Sequence, residues 1–319
     1  MHARHGGFAH VNGVGRYVAR RILTLIPLLI GMTAVAFVTL YLAGGDPAVA
    51  LAGDNATEEV LAVIRRKMGL DRPLHLQYLG WLAGLVRGDF GTSLIDDRPV
   101  MPTILRQFPA TLLLMGGAMT VALAIGLPTG ILAAVYRRSW IDHASRLFAL
   151  LGVSIPGFWL GLILILVLAY HWQVFPLAGY GTPRHLVLPS LTLGTAMAAL
   201  LMRLTRASLL EVLREDYIRT ARAKGLAQRV SILKHALKNA MLPIITGVGL
   251  EVGVLLGGTV IVESIFNWPG IGRLAYVRML QRDAPMVLGN LMIYGLVFGT
   301  VNLLTDISYA FLDPRIRYE

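Results

Sequence analysis

The chain has 319 residues, 55% of them apolar and only 15% charged, and carries a net charge of +11. Soluble domains carry about 25% charged residues, so an ordinary cytosolic enzyme is excluded, and so apolar a chain is not disordered. The absence of cysteine removes disulfides, thiolate metal sites, thiol nucleophiles and iron–sulfur clusters. In a soluble protein this positive charge would suggest nucleic acid; here it reads as charge sorted into cytoplasmic loops, with no nucleic-acid partner.

Uncharged runs divide the chain. They cover residues 22–45, 107–136, 147–183, 185–202, 239–262 (interrupted by Glu251) and 284–305. About 20 apolar residues cross the hydrocarbon core as a helix, and backbone polar groups in lipid must be satisfied internally. Six transmembrane helices are therefore predicted, at 20–42, 108–136, 147–171, 186–206, 240–262 and 285–307. The third run is too long for one span, and Gln173, Pro176 and Gly179 to Gly181 mark its exit from the membrane. The first span is too long for a signal-peptide core and reads as an uncleaved anchor.

In chain order, a cytoplasmic N-terminus (1–19) leads to the first helix (20–42) and then to an external region (43–106). In that region Thr57-Glu58-Glu59 predicts a capped helix closing at Met68-Gly69, and 73–86 predicts a second, with Tyr78 and Trp81 near the membrane surface. This region reads as a structured connector without chemistry. A core transmembrane domain (107–309) follows, with a cytoplasmic segment at 211–238 and a cytoplasmic C-terminus at 310–319. Placing the N-terminus inside gives 18 Lys and Arg on inner segments against 11 on outer ones, or 4 without the long first loop. The topology is N-in, C-in.

Enzyme signatures are missing. None of the four lysines follows glycine or precedes Ser or Thr, so there is no phosphate-binding P-loop. No His-Glu-x-x-His occurs, and in Gly152-Val153-Ser154-Ile155-Pro156 a proline stands where a nucleophile elbow needs its second glycine. That turn reads as close helix packing around small residues. Glu251 is the deepest intramembrane acid; it lines a pore or hydrogen-bonds within the bundle. A proteolytic dyad of Glu251 and Asp306 lacks the surroundings it would need.

The most informative stretch is residues 211–226, charged on one side and small on the other, with Ala221 and Gly225 four apart. Small residues at helical spacing let another surface approach the backbone, and the flanking Arg and Lys contact acidic groups or lipid phosphates. A basic amphipathic connector lying on the inner leaflet is the plainer alternative.

Asp216-Tyr217-Ile218-Arg219-Thr220-Ala221-Arg222-Ala223-Lys224-Gly225-Leu226, followed by His235-Ala236-Leu237-Lys238-Asn239-Ala240 and Leu242-Pro243, resembles the coupling segment of ABC importer permeases. The wider superfamily has Glu-Ala-Ala, three residues, then Gly; here Arg219-Thr220-Ala221 and Gly225 stand in those places, a departure typical of the peptide-type branch. Further short matches run along the chain. They include Gly45-Asp46-Pro47-Ala48, Gly88-Asp89-Phe90-Gly91-Thr92-Ser93, Gly157-Phe158-Trp159-Leu160, Phe266-Asn267-Trp268-Pro269-Gly270 and Leu312-Asp313-Pro314-Arg315. Together they resemble the first permease of the dipeptide/oligopeptide/nickel permease family.

This resemblance implies an all-α, multi-pass protein of the bacterial cytoplasmic (inner) membrane with the binding-protein-dependent permease fold. It implies a second, homologous permease, two cytoplasmic ATPases holding ATP and magnesium, and an external binding protein; this chain would hold no cofactor or metal. Tyr217, Arg219, Thr220, Ala221, Ala223, Lys224, Gly225 and Leu226 would couple ATPase movement to alternating access, with Ala221 and Gly225 packing closely in the docking cleft. Glu251 is the candidate for the substrate pathway. Di- or oligopeptide is the favoured solute, with nickel or glutathione as alternatives. A stand-alone channel or secondary transporter would need more intramembrane polar groups.

Overall fold

The computed structural model describes residues 7–44, 47–52, 56–227 and 230–312. The terminal motif from Asp313 onward, the start of the N-terminal segment and Gly45-Asp46 lie outside the described residues. The described chain is helical, with one isolated antiparallel bridge, Thr92 to Pro99. Five of its helices are long and apolar enough to cross a membrane, or six if one bent pair forms a single span.

The chain divides into two compact units, one of residues 1–109, 270–300 and 318–319, the other of 110–269 and 301–317. In the first unit, α1 (Gly7–Gly44) runs antiparallel to the middle of α12 (Ala284–Leu312): Leu25 packs on Gly299 and Leu29 on Gly295. Glycines at these contacts let leucines of one helix reach the backbone of the other, the packing that substitutes for a hydrophobic drive in lipid.

Three short helices follow α1: α2 (Pro47–Ala52), α3 (Glu58–Met68) and α4 (Leu74–Val86). The α3 bounds match the sequence pattern, and Gly69 ends the helix in the left-handed region at φ 67°. Thr57 precedes the helix, but its hydroxyl makes no capping hydrogen bond. Tyr78 is placed deeper than expected. Its hydroxyl donates to the Ile30 carbonyl at 2.8 Å and lies 2.8 Å from the Thr33 hydroxyl, midway along the first span. Its ring stacks on Trp81 and tilts against Phe37, so α4 is fastened to α1 rather than resting on the membrane surface.

The core of this unit joins Val100 and Ile104 to Ile271 and Leu274 of α11 (Ile271–Leu280), and to Met286 and Ile293 of α12. Beside it lies a polar knot. Buried Asp283 accepts from the Ser93 hydroxyl (2.5 Å) and the Leu94 N–H (3.1 Å), while Arg278 donates to Asp96 at 2.7 Å and reaches Asp283 at 3.4 Å. Burial raises the Asp96 carboxyl. Hydrogen bonds from Arg278 and Ser93, the Arg278 charge and the Arg98 backbone outweigh that and hold it below its usual 3.8. A lowered folded pKa contributes stability that is complete above 3.8 and disappears as pH falls through the folded value. Hydrogen exchange across residues 93–98 is therefore expected to be flat from pH 7 to about pH 5 and, after correction for intrinsic rates, to accelerate below about pH 4. Unchanged protection at acid pH would remove Asp96 from the knot's energetics.

In the second unit every long element is ordered along α8 (Pro183–Val212). α5 (Val100–Val135) runs parallel to it: Gly117 meets Ser190, Gly126 meets Ala198, and Gly130 meets Met202 and Thr205. α10 (Leu237–Ile265) runs antiparallel, with Ser208 donating to the Ala240 carbonyl, Gly247 against Leu204 and Gly258 against Leu193. α5 begins at Val100, well before the expected 108, because a helical backbone does not stop at a charge; exposed Arg106 simply lies on its surface.

The expected single helix at 147–171 is broken. α6 (Trp140–Ser154) and α7 (Gly157–Leu164), the latter continued by a π-helical stretch over Ile165–His171, meet at 101°. Ile155 and Pro156 are extended at the corner; Pro156 lacks an N–H and bars the helical region to the residue before it. The contacts with α8 nevertheless advance steadily. Asp142 meets Arg206, Gly152 meets Ala199, Gly161 meets Thr192, and Ala169 clusters with Leu188. A re-entrant loop would turn back along α8; this pair traverses it, so the two halves form one bent span. Its entry is held by buried Asp142, which accepts two hydrogen bonds from Arg206 (2.7 and 3.0 Å) and one from the Arg138 N–H (3.0 Å).

The Phe266-Asn267-Trp268-Pro269 motif closes the other end. Trp268 is buried and its indole N–H donates to the Ala110 carbonyl at 2.8 Å, while buried Glu263 accepts from the Thr111 hydroxyl at 2.7 Å. These contacts give the motif a packing reason independent of any ligand.

Candidate functional site

Within the expected coupling segment, Asp216–Ala223 form a short helix, α9, set between α8 and the π-helical turn at Ser231–Ala236 that leads into α10. Asp216 opens it with a charge favourable to a helix N-terminus, and the Thr220 hydroxyl donates back to the Asp216 carbonyl at 2.9 Å. One residue anchors the helix: Ile218 is fully buried, in a cluster with Ala134, Leu209, Ile232, Ala236 and Ala240. Burying an isoleucine contributes roughly 2–3 kcal/mol. Tyr217 adds a second tie, its hydroxyl accepting from the Asn239 side-chain N–H at 2.6 Å.

The other candidate residues face outward. Arg219, Thr220, Ala223, Lys224, Gly225 and Leu226 are exposed, Tyr217 keeps 42% of its surface, and Ala221 is half-buried. Arg219 pairs with Asp216 at 3.4 Å, but both are exposed, so that pair contributes little. Gln228 and Arg229, inside the expected 211–238 segment, lie outside the described residues.

Gly225 departs from the expected picture. The helix ends at Ala223, so Gly225 does not share a helical face with Ala221. Its φ is +82°, the Leu226 N–H returns to the Ala221 carbonyl at 3.3 Å, and the Lys224 N–H to the Thr220 carbonyl at 3.0 Å. This is the left-handed glycine stop that satisfies the last carbonyls of a helix. A Cβ placed there would meet nothing within 4 Å of the chain itself. Within this chain the glycine is required by its backbone angle, and its open flank leaves the end of α9 accessible.

Glu251 lies elsewhere. Gly247 and Glu251 are one turn apart on the α10 face that meets α8, and both line a cavity of about 390 Å³ together with Arg203. Gly249, about 200° around the helix from Glu251, packs instead on Thr305. The structure thus directs Glu251 away from the face that meets the Asp306 end of α12, and the two do not form a dyad. Arg203 was not singled out in the sequence, where it counts as the first of nine inner-loop cations; its signal is that it ends the uncharged run 185–202 while still lying within α8.

Residues 126–318 match the family model described as "Binding-protein-dependent transport system inner membrane component", and residues 14–115 match the corresponding N-terminal model. The chain belongs to this family. Membership makes it an inner-membrane transport subunit rather than an enzyme, the permease of an ABC importer served by a binding protein. Among its relatives is the glutathione transport system permease protein GsiC of Escherichia coli strain K12, 43% identical over 303 residues, covering 95% of this chain and 99% of that one. The protein of the same name from Salmonella choleraesuis is 42% identical over the same length and coverage. Two inward-facing structures of the MetNI methionine ABC transporter share the fold. Their TM-scores are 0.55 and 0.57 at 20% and 18% identity, each covering 67% of this chain and 97% and 98% of the other. The all-helical permease architecture expected from the sequence is the one this family has.

Proposed function

We propose that this permease imports short peptides, with glutathione, itself a tripeptide, as the first solute to test. It pairs with a second, homologous permease, and two cytoplasmic ATPases, which hold the ATP and magnesium, dock on α9. The observation that carries the coupling role is the way α9 is mounted: fixed from beneath by Ile218 and Tyr217, open on its outer side from Arg219 to Leu226. A helix pinned to the ends of α8 and α10 transmits a push from an ATPase to both spans. Support for the solute comes from the 43% identity to a glutathione permease over nearly the whole chain. Dipeptides belong to the same chemical class as glutathione.

The test is uptake of labelled glutathione and labelled L-alanyl-L-alanine by the native host, with this gene deleted and then restored. Loss and recovery of glutathione uptake supports the reading. Loss and recovery of dipeptide uptake alone keeps the peptide class and rejects glutathione. No change in either, in a host without redundant peptide systems, rejects the peptide class.

A further inference from the structure

The cavity between α8 and α10 holds two opposite charges that the coupling role does not use. Arg203 enters it from α8 and Glu251 from α10; the intervening wall is apolar, including Met197, Leu200 and Val248. Neither charge makes a hydrogen bond or ion pair with the described residues, and Arg203 is exposed while Glu251 is half-buried. Unpaired ionisable groups within spans are costly, and those that persist face a bundle interior or a wet cavity and mark a solute path. The volume, about 390 Å³, lies within the range of small-molecule sites.

The two charges are offset along the bundle. Leu204 packs on Gly247 and the two helices are antiparallel, so Arg203 lies level with Val248 and Glu251 stands about 4.5 Å further along the bundle. The ammonium and carboxylate of an extended dipeptide are separated by about 7 Å. A lone cation is repelled by Arg203 and a lone anion by Glu251, whereas a molecule carrying both charges satisfies both residues. Apolar walls strengthen each of these interactions relative to open water.

We propose that this cavity is a transit site for zwitterionic solutes of dipeptide to tripeptide size, Glu251 receiving the ammonium and the Arg203 guanidinium the carboxylate. The proposal rests on the peptide reading above and adds to it the two residues that recognise the solute within the membrane.

The test uses the complete importer, with binding protein, both permeases and ATPases, reconstituted in proteoliposomes and supplied with labelled glutathione or L-alanyl-L-alanine. Arg203→Gln and Glu251→Gln are each expected to lower uptake about tenfold, the effect of losing one charge-assisted contact. Arg203→Lys and Glu251→Asp, which keep the charge, are expected to retain most of it. Wild-type uptake by both glutamine variants overturns the site while leaving the peptide reading intact. Loss of the second permease from the purified Glu251→Gln or Arg203→Gln complex also overturns it, since the charges would then be assembly contacts. If the wild-type importer moves neither peptide, the site falls together with the substrate assignment.

Discussion

Gly225→Arg is expected to abolish ATP-driven uptake while the chain still inserts and still binds its partner permease. Two effects combine at this position. The backbone stands at φ +82°, which side-chain-bearing residues rarely adopt, so the turn that ends α9 is strained. The arginine side chain then projects into the open space on the outer side of α9, where the ATPase docks in the proposed function. Gly225→Ala separates the two effects. It carries the strain, about 1 kcal/mol, with almost no bulk, and is expected to retain most of the uptake. The measurement is labelled-peptide uptake beside membrane abundance and co-purification of the ATPases. Normal uptake by the arginine variant would remove α9 from the coupling role. Equal loss in both variants would assign the defect to the shape of the turn rather than to docking.

Gly194→Leu is expected to prevent recovery of a folded permease. A Cβ at Gly194 would lie 2.6 Å from the Ala118 carbonyl oxygen and 2.7 Å from the Val121 Cβ, and neither can retreat without moving α5 away from α8. Overpacking of this kind typically costs about 1–3 kcal/mol for a few methylenes, and more where backbone is struck. Because α8 also carries α6, α7 and α10, separation at this contact disturbs the whole unit. Gly257→Ala is the control: nothing lies within 4 Å of its Cβ, and replacing a mid-helix glycine by alanine favours the helix by about 0.5–1 kcal/mol. Protease resistance in membranes and yield after detergent extraction distinguish them. Wild-type behaviour of Gly194→Leu would mean that α5 and α8 do not approach as closely as described.

Runs of apolar residues identified the spans because a bilayer accepts only long uncharged helices, and that rule needs no tertiary information. It failed where the boundary is not set by charge. Arg106 ended the apolar run, yet α5 continues back to Val100, because helical hydrogen bonding is indifferent to a cation on the helix surface. Pro156 was visible, and its local effect on Ile155 was predictable; that the two halves still cross as one span follows only from their successive contacts with Thr192, Ala199 and Arg206 of α8. Within residues 211–226 the motif located α9. Spacing alone placed Ala221 and Gly225 on one helical face, whereas the left-handed angle at Gly225 ends the helix between them.

By itself the sequence determined the membrane class and the order and approximate extent of the helices. Each of these depends on local composition, charge or a contiguous motif. Tertiary structure alone decided that Tyr78 is fastened to the middle of α1, that Glu251 faces Arg203 across a cavity rather than the end of α12, and that Ile218 is the anchor of α9. For Tyr78 and Glu251 the partners are far apart in the chain and lie on helices apolar on nearly every side; Ile218 is buried by Ala134 and Ala240 of other helices. Where hydrophobicity does not distinguish one face of a helix from another, only its neighbours determine which residues meet.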